Sequence, residues 1–438
     1  MYIHNYEKAL DFIFGLIDYE KMTHNRSSQN FDLKRMYALM EQLGDPQNKF
    51  KSVHVAGTKG KGSVSAMIAR VLQFSVGNVG LYTSPHLITP RERIVFNDEM
   101  ISEQKLTEVA NAVSSAVEHI NSENQFGRIT TFETLTCIAM YYFASQQAEY
   151  GVMEVGIGGR LDATNIIIPE VSVISTIALD HTDILGSTIA AIAGEKSGII
   201  KKGVPVVSAA QLPEADEVIE RFAAEKESVL YKVGRDVTYE VLDQNADTSV
   251  MRIKIHGLRD DYDVHLPLLG DYQAKNASLA VLALETLQES AVTKETIEEG
   301  LSTIKWRGRF QIVRKEPTVV LDGAHNVVSA TELCKALKVF SNTKKRTMIL
   351  GMSDDKDYKG FLDILGPFFD NIIVTRADNP RAKNPDVLFD YLKDKPVKTF
   401  SEPTVKESIV KALEISDFIC ITGSLFIVGE ALDYFEKK

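Results

Sequence analysis

Residues 53–63 read VHVAGTKGKGS, an apolar run followed by three glycines interleaved with Lys59 and Lys61. A plain surface turn needs one glycine and an Asn or Asp. Three glycines and two lysines let the backbone fold around something anionic and supply charge to hold it. Upstream, KSVHVAG reads as a strand; downstream, SVSAMIARVLQFS has the apolar spacing of a helix beginning at Ser63. Strand, glycine loop and helix in that order make a phosphate-binding loop, whose N–H groups converge on phosphate oxygens beside the positive end of the helix. Lys61 follows Gly60 as lysine follows glycine in G-x-x-x-x-G-K-[ST], but Gly62 stands at the Ser/Thr position and Ser63 comes one residue late. The usual magnesium-binding hydroxyl is therefore not assured from this loop. The competing account is a glycine-rich turn with solvated lysines.

Outward from the loop, residues 50–210 alternate β-rich runs with helical stretches. GNVGLYTSP, YGVMEVG, VSVISTIAL and VPVVSAA join KSVHVAG as expected strands of a parallel sheet covered on both faces. TTFETLTCIAMYYFASQQ has the spacing of a covering helix. Between 228 and 268, VLYKVGRDVTYEVL and SVMRIKIHGL alternate apolar and polar residues and predict antiparallel strands at the sheet's edge or in a small subsheet, followed by a helix in QAKNASLAVLALETLQES. After KWRGRF the pattern restarts: TVVLDGAHN, RTMILGMSD, NIIVTRADN, VKTF and DFICITGS are five strand-like runs separated by helical stretches. The expected fold class is α/β with two doubly wound domains. Residues 1–302 form a P-loop ATPase-like domain with a small antiparallel subsheet, and 303–438 a Rossmann-like domain.

Composition narrows the function classes. The chain has 438 residues, 44% hydrophobic and 25% charged, with a net charge of −11, which argues against nucleic acid or an anionic membrane as partner. The start, MYIHNYEKALDFIFGL, lacks a basic region and cleavage site, and Ile3, Tyr6, Leu10, Ile13 and Phe14 recur at helical spacing instead. No run approaches the ~20 apolar residues of a membrane span. Cys137, Cys334 and Cys420 are far apart in apolar contexts, as in a reduced cytoplasmic protein.

A second glycine cluster, EVGIGGR at 154–160, fails as a dinucleotide finger because Leu161 stands where the last glycine is needed. Its glycines are expected to let a substrate or a neighbouring strand approach. Ser84, Glu154 and His181 lie where strand-like runs end, at the side of a parallel sheet that faces the ligand crevice. A hydroxyl, a carboxylate and an imidazole there could bind magnesium, with histidine the unusual member. Individually Ser84 could form a turn, Glu154 an ion pair and His181 a core hydrogen bond. Lys196, in AAIAGEKSGII, could be an ion-paired lysine beside Glu195 or a buried one of altered reactivity.

Taken together, VHVAGTKGKGS, LYTSPHL, TTFE, MEVGIGGRLDATN, STIALDHTDILG, GEKSGI, KWRGRFQ, VLDGAHN and ITGSLF resemble the folylpolyglutamate synthase / dihydrofolate synthase family of Mur-ligase-like ATP-dependent amide ligases. The resemblance covers nearly the whole chain. It implies that Thr58, Lys59, Gly60, Lys61, Gly62 and Ser63 hold ATP phosphates, with Asn276, Arg309 and Asp322 as further ATP contacts. It implies magnesium at Ser84, Glu154 and His181, and a second magnesium at a carbamylated Lys196. Lys61, Lys196, His181 and Glu154 are the implied catalytic groups. Thr130, Thr131, Phe132 and Glu133, with Leu161, Asp162 and Ala163, match segments that contact the pterin, and His325 and Ser424 lie in motifs near the glutamate site. Many members have Asn where this chain has Lys59. The implied activity is ligation of L-glutamate to a folate or dihydropteroate through an acyl phosphate. One tryptophan and no obvious apolar stripe lean towards a monomer.

Two other classes share some of these features. A P-loop switch protein leaves the second domain and the Arg309–Asp322 set unexplained. A nicotinamide-dependent dehydrogenase needs a G-x-G-x-x-G, which neither half holds.

Overall fold

The computed structural model describes residues 2–18, 32–123 and 125–437. Its first half is built on an eight-stranded sheet. Six strands are parallel, in the spatial order Val79–Tyr82, Tyr150–Glu154, Lys51–Ala56, Val171–Ile174, Val206–Ser208 and Leu230–Lys232. The central strands are buried along almost their whole length, as apolar runs between two helical layers must be. The helix Lys61–Val76 leaves the glycine loop and packs against helices Asp271–Thr286 and Lys294–Ser302. A Cβ on Gly300 would lie 2.7 Å from the Val71 Cα, so the last crossing is set by backbone contact.

Three differences from the sequence reading have local causes. The helix after the loop starts at Lys61, two residues before Ser63, because Gly60 at φ +90° already caps it. VLYKVGRDVTYEVL is two strands of different sheets. Leu230–Lys232 extends the parallel sheet, the chain turns at Gly234, and only Thr238–Asn245 enters the antiparallel sheet with Val250–His256 and Asp261–Leu266. A hairpin, Ile94–Phe96 with Glu99–Met100, closes one sheet edge through Asn97 and Asp98, both left-handed.

The antiparallel strands behave as their alternation predicts: Met251, Ile253, Ile255, Tyr262, Val264 and Leu266 face the core shared with helix Asp271–Thr286. The second half carries a six-stranded sheet. Its five parallel strands lie in the order Thr318–Leu321, Phe418–Thr422, Arg346–Leu350, Asn371–Val374 and Lys398–Ser401, with Gln311–Lys315 antiparallel at one edge. Among the described residues no helix is long and apolar enough to cross a membrane.

Candidate active site

The carboxyl ends of the central parallel strands open onto a cleft of about 660 Å³, walled on the far side by the second domain. Thr58 to Ser63 line it. The amides of Thr58 and Lys59 both donate to the Thr176 carbonyl (2.9 and 3.0 Å), and the Thr58 hydroxyl donates to the Ala178 carbonyl at 3.1 Å. These bonds pin the loop's first half to the neighbouring strand's exit. Its second half begins the helix, where the N–H groups of Gly60, Lys61, Gly62 and Ser63 have no intrahelical acceptor. That end of the loop is shaped to receive an anion. Lys59 turns aside and pairs with Asp180 at 2.9 Å.

Gly62 has a steric reason. A Cβ there would lie 2.8 Å from Cζ2 of Trp306 and 3.5 Å from a Glu154 carboxylate oxygen. The chain's one tryptophan, carried on the segment joining the two domains, thus packs directly onto the phosphate loop.

Glu154 ends its strand in this cleft and accepts the Ser84 N–H at 3.0 Å. Burial raises its carboxyl pKa, opposed by Lys61, the Ser84 amide and Arg309. His181 lies seven residues beyond its strand, in a left-handed conformation that caps the short helix Thr182–Leu185. Burial lowers its pKa to about 4 against the pull of Asp180. Asp180 is drawn below the usual carboxylate range despite burial, chiefly by Lys59 and His181. Among the described residues no three His, Cys, Asp or Glu side chains converge as a metal cluster. A cation at Ser84, Glu154 and His181 would take its other oxygens from phosphate and water, which suits magnesium.

Lys196 does not line the cleft. It is buried behind the loop on helix Ile189–Ser197, with Nζ donating to the Gly57 carbonyl at 2.7 Å. Burial and the neighbouring Lys61 push its pKa well below the ordinary lysine value. Its neighbour Glu195 pairs instead with Arg160 at 2.8 Å. The glycine cluster serves this packing, since a Cβ on Gly159 would lie 2.8 and 2.9 Å from the Glu195 and Lys196 carbonyl oxygens.

Thr130, Phe132, Glu133, Leu161, Asp162 and Ala163 form one wall of the cleft. Thr131 stands apart from them: its hydroxyl donates to the Ile13 carbonyl at 2.9 Å and its amide to Ile17 at 3.0 Å, tying down the N-terminal helix. Glu133 is held by Arg35 at 2.6 Å and by the Thr130 amide at 2.8 Å. Asp162 accepts four bonds from its own chain, from the amides of Gly156, Ile157 and Thr164 and from the Thr164 hydroxyl. These bonds set the backbone of the glycine segment.

The Thr164 hydroxyl donates to Asp162, so it accepts from His54 Nε2–H at 2.8 Å. Among the described residues the other ring nitrogen of His54 is buried without a partner. Burial, aided by Lys201, lowers the His54 pKa to about 3. Between the ordinary histidine value of about 6.5 and this value of about 3 the unfolded chain binds a proton that the folded chain refuses, so stability falls as pH falls. His54→Gln is expected to flatten that loss, read as the change in urea midpoint from neutral pH to about pH 4.5. Equal changes in variant and parent would refute the assignment.

The second domain's wall brings together Arg309, Asp322, His325 and Ser424, with Asn276 opposite. Asn276 abuts Gly60, where a Cβ would meet its Oδ1 at 2.4 Å. Asp322 accepts the amides of Phe310 and Ala324, both at 2.9 Å. His325 Nδ1 donates to the Gly323 carbonyl at 2.8 Å, leaving Nε2 as an acceptor. Ser424 caps helix Leu425–Glu436. Sequence reasoning passed over Asp180, although it sits in the quoted STIALDHTDILG, and Tyr272, which hydrogen-bonds Asp322. It also passed over Lys356, whose Nζ reaches within 3.9 Å of Asp180 from the second domain. No spacing marks Lys356, because the contact exists only once the domains meet.

Residues 55–284 match the Mur ligase middle domain, and residues 308–425 the glutamate ligase domain of Mur ligases. The chain is 34% identical over 407 residues to the dihydrofolate synthase/folylpolyglutamate synthase of Bacillus subtilis, covering 91% of this chain and 93% of that one. It superposes on Mycobacterium tuberculosis folylpolyglutamate synthase complexed with ADP and AMPPCP with a TM-score of 0.87, at 32% identity over 93% of this chain and 96% of that one. A folylpolyglutamate synthase–AMPPCP–folate complex gives 0.82, at 31% identity over 98% and 99%.

Proposed function

The chain belongs to the folylpolyglutamate synthase / dihydrofolate synthase family of ATP-dependent amide-bond ligases, and we propose that its cleft joins L-glutamate to the carboxylate of a folate. The observation that carries the reading is the cleft itself. A phosphate loop and a wall carrying Phe132, Leu161 and Ala163 from one domain face Arg309, Asp322, His325 and Ser424 from the other. We place the boundary between the domains at 302/303.

A carboxylate is a poor electrophile, so it must be activated first. In this reading the amides of Gly60 to Ser63 and the Lys61 ammonium hold the ATP phosphates, and Asn276, Arg309 and Asp322 hold the rest of the nucleotide. The pterin lies along Phe132, Leu161 and Ala163. A substrate carboxylate oxygen attacks the terminal phosphorus and ADP leaves, giving an acyl phosphate. Lys61 stabilises charge on the transferring group. The glutamate amine, held near His325 and Ser424, then attacks the acyl carbon, loses a proton and expels phosphate. Trp306 and the second domain exclude water, which would hydrolyse the acyl phosphate.

Ser84, Glu154 and His181 would hold one magnesium, and Lys196 a second after its neutral amine takes up carbon dioxide and loses a proton. Bound there, the ions would screen the repulsion between anionic substrate and triphosphate. The buried position of Lys196 behind the loop and its lowered pKa support the carbamate. We place the enzyme in the cytoplasm as a monomer.

The test is the dependence of phosphate release from ATP on each co-substrate. Release is expected only when a folate and glutamate are both present. Release with ATP alone, or with either co-substrate alone at the same rate, would overturn the reading. Running tetrahydrofolate and dihydropteroate in parallel identifies the acceptor.

A further inference from the structure

One short connection, residues 83–93, carries Ser84 at one end and is braced as a unit. Glu92 accepts the amides of Leu87, Ile88 and Thr89 at 2.8, 2.9 and 2.9 Å. Arg93 Nε donates to His86 Nδ1 at 2.9 Å, and the Thr83 amide donates to the Arg93 carbonyl at 3.0 Å. A segment so tied moves as one body. Its cleft side meets the catalytic groups, through the Ser84 N–H on Glu154.

Its other side meets the second domain. Leu87 packs with that domain's apolar cluster, which includes Ile427 and Val428. A Cβ on Gly429 would lie 2.1 Å from the Leu87 carbonyl oxygen and 2.9 Å from its carbon. A Cβ on Gly308, which sits at φ +68°, would come within 3.0 Å of Val428 and 3.2 Å of Leu87. Both glycines are thus needed for the helix Leu425–Glu436 to lie on this segment. The same helix begins at Ser424 inside the cleft.

We infer that Gly429 and Leu87 are positioning residues that couple seating of the second domain to the placement of Ser84 beside Glu154. The inference rests on the ligase reading above and adds the device that assembles its phosphate-transfer end only when the domains are docked. Seating the helix on Leu87 fixes the braced segment, and the segment fixes the Ser84 hydroxyl relative to the Glu154 carboxylate. A domain that swings away releases both.

The test is calorimetric titration of AMPPCP into the full-length protein at a series of magnesium concentrations, with Trp306 emission recorded alongside. Gly429→Ala is expected to need roughly ten-fold more magnesium for half-maximal tightening, as when a group that orients a metal ligand is lost. Metal-free AMPPCP affinity, to which Arg309 and Asp322 of the second domain contribute, should fall by less than the magnesium-dependent tightening, whereas general damage to the fold would weaken both alike. Trp306 emission should shift, because the linker moves with the helix. Overlaying magnesium titrations would overturn the inference. If Gly429→Ala does not fold, Leu87→Ala leaves the backbone approach to Gly429 in place but withdraws the Leu87 side chain from the second domain's apolar cluster, and it carries the same expectation. A parent that binds no AMPPCP at any magnesium concentration would count against the ligase reading itself. The coupling would then stand or fall on whether Trp306 emission shifts in the variants.

Discussion

Lys61→Ala is expected to lower turnover by roughly 10²-fold or more, the range seen when one charge-stabilising group is removed from a transition state. Lys61 opens the helix beside three other amides whose N–H groups have no intrahelical acceptor, so its ammonium is the mobile part of a fixed anion site. It is also the first cation opposing the effect of burial on Glu154. The variant should therefore lose phosphate stabilisation and leave Glu154 more readily protonated. A loop lysine carries little packing, so thermal unfolding should be unchanged. Near-normal turnover in a folded Lys61→Ala protein would remove the phosphate-loop reading.

Lys196→Ala is expected to be nearly inactive, and a small carboxylate in the buffer is expected to restore part of the activity. An ion-paired lysine would tolerate arginine, but its neighbouring carboxylate Glu195 is engaged with Arg160 and the Lys196 amine rests on a backbone carbonyl. A carbamate is an anion with two oxygens, so alanine removes a metal ligand and arginine puts a fixed cation in its place. Lys196→Arg should therefore be as damaged as Lys196→Ala and not rescued. Burial lowers the pKa of this lysine, which supplies the neutral amine that carbon dioxide requires. A crystal structure should show a planar group beyond Nζ. An unmodified side chain together with an active Lys196→Arg enzyme would refute the carbamate.

The parts of this molecule that could be read from sequence are those fixed by local pattern. Apolar runs such as YGVME mark buried parallel strands, and the alternation in VMRIKIH marks a strand with one covered face, because burial repeats with the geometry of the backbone. The loop's glycines are equally legible, since Gly57 and Gly60 adopt conformations that other residues avoid. Partnership between distant segments leaves no such pattern. Leu230–Lys232 and Thr238–Asn245 look alike and are separated by one turn, yet they join different sheets. Thr131 and Glu133 are two residues apart in TTFE, and only folding sends the first to the N-terminal helix and the second to the cleft. Lys59 shows the same limit: position assigns it to the phosphates, and its ion pair with Asp180 depends on a loop that runs well over a hundred residues later.

The indole resting on Gly62 makes the loop and the linker a matched pair that cannot be traded separately. A graft of another nucleotide-binding loop, bringing its customary serine or threonine, would put a Cβ 2.8 Å from Cζ2 of Trp306. The chimera would then fail at a residue outside the transplanted segment. A successful exchange has to carry KWRGRF along with the glycines, and anyone recombining this enzyme with its relatives should treat those two stretches as one inherited block.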